Sequence, residues 1–386
     1  SLTDEKEQIV SPLLRTSSSK DEDKLLERAI QMSLTDEKEQ IVSPLLRTSS
    51  SVSKNLEVTY RKDCEDAAAQ VSKINMMMQS VGTNFVDAAF RPNSSILLFG
   101  TESESKRRNI GPWLRPNEIR GVRAATRSEA RLESTMPWTV FRGTVDSDDI
   151  QQGKLGDCWF LSALSCLAQR PDLVKRLVLT QTYNPRGVYL VRLMKDGLWV
   201  NIIVDDYFVC TTSGVLAFTS SKRKQLYVPI IEKAFAKLHG SFGALEGGTC
   251  SEGLQALTGC PVVSLKINSS NTNETNDSGH FAKLDSSRML WVRLLSSFEA
   301  GYLMAAACHP SQSNLQEAQK NGLQASHAYS ILDVKAFKHY RLIKLRNPHG
   351  INAKTYRGDF GVLSTRWTQE LRNHFSEFRY GGSDSG

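Results

Sequence analysis

Gln152-Gly153-Lys154-Leu155-Gly156-Asp157-Cys158-Trp159-Phe160 is the stretch from which the rest of the chain can be read. A thiol follows a short loop that carries two glycines. An apolar run continues through Leu161, Ala163, Leu164, Cys166, Leu167 and Ala168, with no Gly or Pro before Pro171. That composition predicts a buried helix with Cys158 in its first turn. The unpaired N–H groups and dipole at such a helix start favour an anion, so the thiol pKa is expected to fall. Gln152 lies on the loop leading in and is placed to aim an amide donor at the same point. A nucleophile beside an oxyanion donor is the starting point of acyl transfer. Cysteine is also among the most buried residue types, and core filling is the plainer reading of Cys158 taken alone.

The decision rests on partners, because a thiol nucleophile needs an imidazole and a group that holds the imidazole. Among the seven histidines, His327 has the best context, Ser326-His327-Ala328-Tyr329-Ser330-Ile331-Leu332-Asp333-Val334. This reads as a strand with His at its start. A second strand, Tyr340 to Leu345, follows and ends in Arg346-Asn347-Pro348. Neighbouring strands would set Asn347 beside His327, where its carbonyl can accept the imidazole N–H and fix the tautomer.

Gln-Gly-x-x-Gly-Asp-Cys-Trp-Phe-Leu, His-Ala-Tyr-Ser and Leu-Arg-Asn-Pro together resemble the calpain protease core. The chain between them is most similar to the small-optic-lobes type of atypical calpain, through Phe141-Arg142, Arg223-Lys224-Gln225-Leu226, Ile231-Glu232-Lys233-Ala234, Lys237-Leu238-His239-Gly240 and Leu257-Thr258-Gly259. The likeness runs from about residue 80 to 370. It implies an α+β, papain-like, two-lobed fold and an intracellular cysteine endopeptidase working through a thioester acyl-enzyme. By the resemblance Cys158 is the nucleophile, His327 the base, Asn347 its orienter and Gln152 the oxyanion donor.

The resemblance also implies calcium, with Asp149 and Glu232 at the family's carboxylate positions in the first lobe. Read from the residues, Asp149 serves equally as a turn residue and Glu232 as a surface helical charge. In the second lobe the acidic ligands are missing, with Thr355 before Tyr356-Arg357-Gly358-Asp359-Phe360. Calcium is therefore expected in the first lobe only, and no cofactor is needed for the chemistry. Where the family has Trp after Asn-Pro, this chain has His349, which would leave the Asn–His pair less shielded from water.

The 386 residues suffice for two or three domains, and no apolar run approaches membrane-spanning length. No secretory signal is visible, and the first residue is Ser, which suggests a fragment or processed chain. Seven scattered cysteines argue against a disulfide framework or zinc site and fit a reducing cytoplasm. The net charge of +7 is modest. Its densest basic runs, Lys106-Arg107-Arg108 and Lys222-Arg223-Lys224, lack interleaved aromatics and read as solvated surface, not a nucleic-acid face.

Residues 1–19 recur unchanged as 33–51. Between them an acidic start leads into a short amphipathic helix with Leu26, Ala29, Ile30 and Ser33 on one face. Over residues 20–35 this resembles a ubiquitin-interacting motif, which implies ubiquitin or ubiquitylated proteins as partners. A marginal helix in a polar linker is the alternative.

Three segments follow: a duplicated linker over 1–52, a mainly helical first lobe over 53–256 and a strand-rich second lobe over 257–386 that lacks the family's closing strands. Residues 55–80 read as a helix whose methionines pack. The second lobe is expected to supply strands at 262–267, 291–295, 301–307, 327–334 and 340–345. Residues 268–278 read as a polar loop. An inactive ubiquitin-binding scaffold and a deubiquitinase are the alternative functions.

Overall fold

A computed structural model describes residues 57–97, 110–121, 126–265, 267, 287–309, 314–350 and 353–375. Its helices are α1 (residues 57–81), α2 (Arg127–Thr135), α3 (Cys158–Leu167), α4 (Pro171–Leu177), α5 (Tyr227–Leu238), α6 (Cys250–Thr258), α7 (Ser287–Glu299), α8 (Leu315–Lys320) and α9 (Gln369–His374). Its strands are β1 (Ile110–Leu114), β2 (Ile150–Gln151), β3 (Val188–Lys195), β4 (Leu198–Asp205), β5 (Phe208–Thr211), β6 (Ser220–Ser221), β7 (Met304–Cys308), β8 (His327–Phe337) and β9 (Tyr340–Arg346). The sheets are small: β1-β5, β2-β6, β3-β4 and the three-stranded β7-β8-β9. Helices and antiparallel sheets in separate groups make an α+β fold.

Helix α3 is apolar on every side, so it can be stable only inside a core. Every residue from Trp159 to Leu167 is buried, and only Cys158 in the first turn is partly open. Helix α5 crosses it, with Phe160 and Phe235 stacked at 4.0 Å and 4°. Helix α6 approaches more closely. A Cβ at Gly253 would stand 2.9 Å from Ala163 Cβ and 3.3 Å from Phe160 Cα, so a mid-helix glycine is tolerated because nothing larger fits. Thr249 and Glu252 form a capping box at the start of α6, and Gly259 closes it at φ 68°.

By contacts the chain divides into two compact units. The described parts of 58–264, 303–332 and 344–386 make one, which holds Cys158, Gln152, His327 and Asn347; the described parts of 265–302 and 333–343 belong to the other.

Two expected strands are not formed. Residues 291–295 belong to α7, where Trp291 and Leu295, four apart, are the buried pair on one face. A short apolar run fits either period, and here its flanks extend it to 13 residues, a helical length. Over 262–265 the chain makes only an isolated bridge at Ser264, with Val262 packed against the core and Val263 and Ile267 exposed. Helix α1 and strands β7, β8 and β9 fall where expected, with β8 running three residues further, to Phe337. The segments 1–56 and 268–286 lie outside the described residues, and with them the repeat and Leu26, Ala29, Ile30 and Ser33.

Candidate active site

Cys158 is the first residue of α3, and the fully buried Asp157 is its N-cap without a side-chain capping bond. Burial pushes the Cys158 thiol above its ordinary value; the Ala328 backbone amide opposes this, and Asp157 adds to it. The expected fall in thiol pKa is therefore corrected: desolvation outweighs the helix start. Asp157 is itself driven well up, by burial and then by Glu232 within hydrogen-bond reach.

His327 opens β8, buried to 6% exposure, and pairs across to Cys308 on β7. Its Nε2 lies 2.8 Å from Asn347 Oδ1. Burial lowers its pKa, and Asn347 partly restores it. The His349 ring stacks on His327 at 4.6 Å and 11°, and Tyr329 meets it edge-on at 5.0 Å. His349 thus covers the imidazole face. The Ala328 amide on the thiol places β8 against the start of α3.

Several hydrogen bonds hold these strands to α3. Ser330 Oγ donates to Ser162 O at 2.9 Å, Cys166 Sγ to Met304 O at 2.9 Å and Gln169 Nε2 to Ile331 O at 3.3 Å. Arg346, one residue before Asn347, is buried and donates to Ser165 Oγ at 2.9 Å, to Asp148 Oδ1 at 3.2 Å and to the Ile150 carbonyl. The Gln152 backbone N–H donates to Pro348 O at 2.8 Å, stitching its loop to the one after Asn347. One hydrogen of the Gln152 amide goes to Leu155 O at 2.8 Å, which fixes that carboxamide on the loop leading to Cys158.

Asp149 and Glu232 are engaged in separate sets. Both oxygens of Asp149 lie 2.8 Å from Arg223 Nη2. Glu232 accepts from Thr219 N at 3.2 Å and Thr219 Oγ1 at 2.8 Å. Calcium takes six to eight oxygens. A carboxylate already neutralised by a guanidinium does not fit that set as arranged, and among the described residues no group of three His, Cys, Asp or Glu is placed to hold a metal. Arg223 also corrects the reading of 222–224 as solvated surface: φ values of 62° at Arg223 and 49° at Lys224 turn the chain so that Arg223 reaches Asp149.

Sequence reasoning assigned no role to Asp157, Arg346 or Gln324. Asp157 and Arg346 sit inside the quoted motifs, where a charge next to a candidate site residue was the available signal. Gln324 is a polar loop residue and carries none.

All seven cysteines are free thiols. Among the described residues no helix is long and apolar enough to cross a membrane.

Comparison with known proteins gives a consistent picture. A family model described as calpain family cysteine protease matches residues 85–382. The rice (Oryza sativa subsp. japonica) calpain-type cysteine protease ADL1 is 36% identical over 292 residues, 75% of this chain and 12% of the rice protein. The maize (Zea mays) calpain-type cysteine protease DEK1 is 36% identical over 293 residues, with the same coverage of 75% and 12%. Calpain clp-4 of Caenorhabditis elegans is 29% identical over 296 residues, 74% of this chain and 36% of that protein. The chain thus spans only 12% of the length of these two plant proteins.

Proposed function

This chain belongs to the calpain family of cysteine proteases, and on that premise we propose that it hydrolyses peptide bonds of proteins inside the cell through a thioester on Cys158. The observation that carries the reading is the 2.8 Å pairing of His327 Nε2 with Asn347 Oδ1 on the strand that sets the Ala328 amide against the Cys158 thiol.

Asn347 accepts from Nε2–H, so Nδ1 is the basic nitrogen. It takes the thiol proton as sulfur attacks the carbonyl. The Cys158 backbone N–H and the Gln152 amide hold the oxyanion. His327 then protonates the leaving amine, and water releases the acyl group. The ordinary thiol and imidazole values, 9.0 and 6.5, already put the proton transfer about 3.4 kcal/mol uphill, and burial widens the gap. Attraction in the resulting ion pair returns about 4 kcal/mol at 4 Å and an effective dielectric of 20. The two are close enough that substrate contacts decide whether the thiolate forms.

Calcium enters this reading only as a regulator. Binding at Asp149 and Glu232 requires Arg223 to leave Asp149. The division into lobes at 53–256 and 257–386, the kinship with small-optic-lobes calpains, a cytoplasmic site of action and ubiquitin contacts through Leu26, Ala29, Ile30 and Ser33 belong to the same reading. Titration of labelled ubiquitin with the chain tests the last of these.

The test of the activity is cleavage of an unfolded protein substrate by the full chain, with and without calcium, beside Cys158→Ala. Cleavage by the parent and none by the variant is expected. Equal cleavage by both would remove Cys158 as the nucleophile.

A further inference from the structure

The assignment of donors around Asn347 can be worked out from one unambiguous group. The His349 backbone N–H can only donate, and it lies 3.0 Å from the Asn347 oxygen Oδ1. That fixes which end of the carboxamide faces His327, so His327 carries its proton on Nε2. It also turns Nδ2 of Asn347, a donor, toward Gln324 at 3.2 Å, so the Gln324 atom there must be the acceptor Oε1. The same oxygen lies 3.1 Å from His349 Nδ1, which must then be the protonated nitrogen of that ring. Gln324 thus accepts two hydrogen bonds on one oxygen, one from the residue that orients His327 and one from the ring that covers it.

The loop carrying Gln324 is itself pinned. Its backbone N–H donates to Tyr329 Oη at 2.9 Å, and Tyr329 in turn packs edge-on against His327. On one side Gly322 adopts φ 81°, and a Cβ there would strike the Thr355 carbonyl. On the other, Ser326 is held at φ 51°, a conformation that costs a non-glycine residue energy and aims the chain into β8. The side chains and the loop close a ring: His327, Asn347, Gln324, Tyr329 and back to His327.

We propose that Gln324 is a positioning residue of the active site. It fixes the Asn347 carboxamide in the orientation that presents oxygen to His327, and it locks His349 in the tautomer and plane that cover the imidazole. The inference rests on the protease reading above and deepens it. A carboxamide has two orientations of nearly equal shape. Turned round, Asn347 would set NH2 against two N–H groups, those of His327 and His349, and oxygen against oxygen at Gln324. Without Gln324 the last of these penalties disappears, and His349 Nδ1 loses the acceptor oxygen 3.1 Å away.

Steady-state kinetics on a peptide substrate with the full chain test this. Gln324→Ala is expected to lower kcat roughly 10-fold or more with KM nearly unchanged. Gln324→Glu keeps an acceptor oxygen and is expected to restore most of the rate, and it serves if the alanine variant fails to fold. A second readout does not depend on turnover: nitrogen-15 spectra of the histidine rings should show a protected His349 Nδ1–H in the parent and in Gln324→Glu, and its loss in Gln324→Ala. An alanine variant with parental kcat and an unchanged ring spectrum overturns the inference. If the parent does not cleave substrate, the protease reading fails, and the ring spectra still decide the role of Gln324.

Discussion

The two sides of the proposed catalytic centre are built by different physics. Around Cys158 the restraint is packing: α3 is sealed by the stacked Phe235 and by the glycine face of α6, and a single methyl at Gly253 has no room. Around His327 the restraint is a hydrogen-bonded lattice of two carboxamides, two imidazoles and a phenol. Packing fixes where a backbone atom sits. Only the lattice fixes which nitrogen carries a proton. The thiol's side therefore governs stability and position, and the imidazole's side governs protonation.

The largest effect expected from this contrast is chemical. Cys158→Ala should abolish cleavage, a loss of roughly 10⁴-fold or more, while thermal unfolding of the chain is little changed. A large fall in the melting temperature would mean the thiol is core filling after all. Next, Asn347→Ala should cost about 10²-fold in kcat with little change in KM, because His327 loses its tautomer. On the packed side the expected change is in stability. Gly253→Val should destabilise by about 1–3 kcal/mol through overpacking, read by denaturant unfolding, whereas the same volume added at an exposed helical site should not. Arg346→Met sharpens the comparison because Arg346 joins the two sides. Removing it leaves Asp148 and the Ile150 carbonyl without a partner they now have, and a loss of about 3 kcal/mol is expected.

The smallest effect is on pH. Burial lowers the His327 pKa, so the unfolded chain binds a proton that the folded one resists. The neutral ring's contribution is whole above the ordinary value of 6.5 and is lost as pH falls below it toward the folded pKa. His327→Gln should flatten that part of the unfolding curve.

Legibility in the sequence divides along the same line. The apolar run after Asp157 has one reading as a core helix, and α3 runs as it implies. His327 at the head of one strand and Asn347 just past the next were readable because strand direction and spacing bring them together. The direction of the thiol pKa was not. A helix start favours the thiolate, but how deeply Cys158 and Asp157 are desolvated depends on α5 and β8, which arrive from distant parts of the chain. Arg223 was read as surface because a basic run shows no sign of a backbone turn at φ 62°. Gln324 was invisible for the same kind of reason: its meaning lies in two donors more than twenty residues away.

The measurement closest to the centre of this picture is covalent labelling of the full chain by an electrophilic peptide that reacts only with an activated thiol, read by mass spectrometry. Modification should fall on Cys158 and not on the other six cysteines, and His327→Ala should suppress it. Labelling spread over several thiols, or labelling of Cys158 that is indifferent to His327, would contradict a catalytic pair.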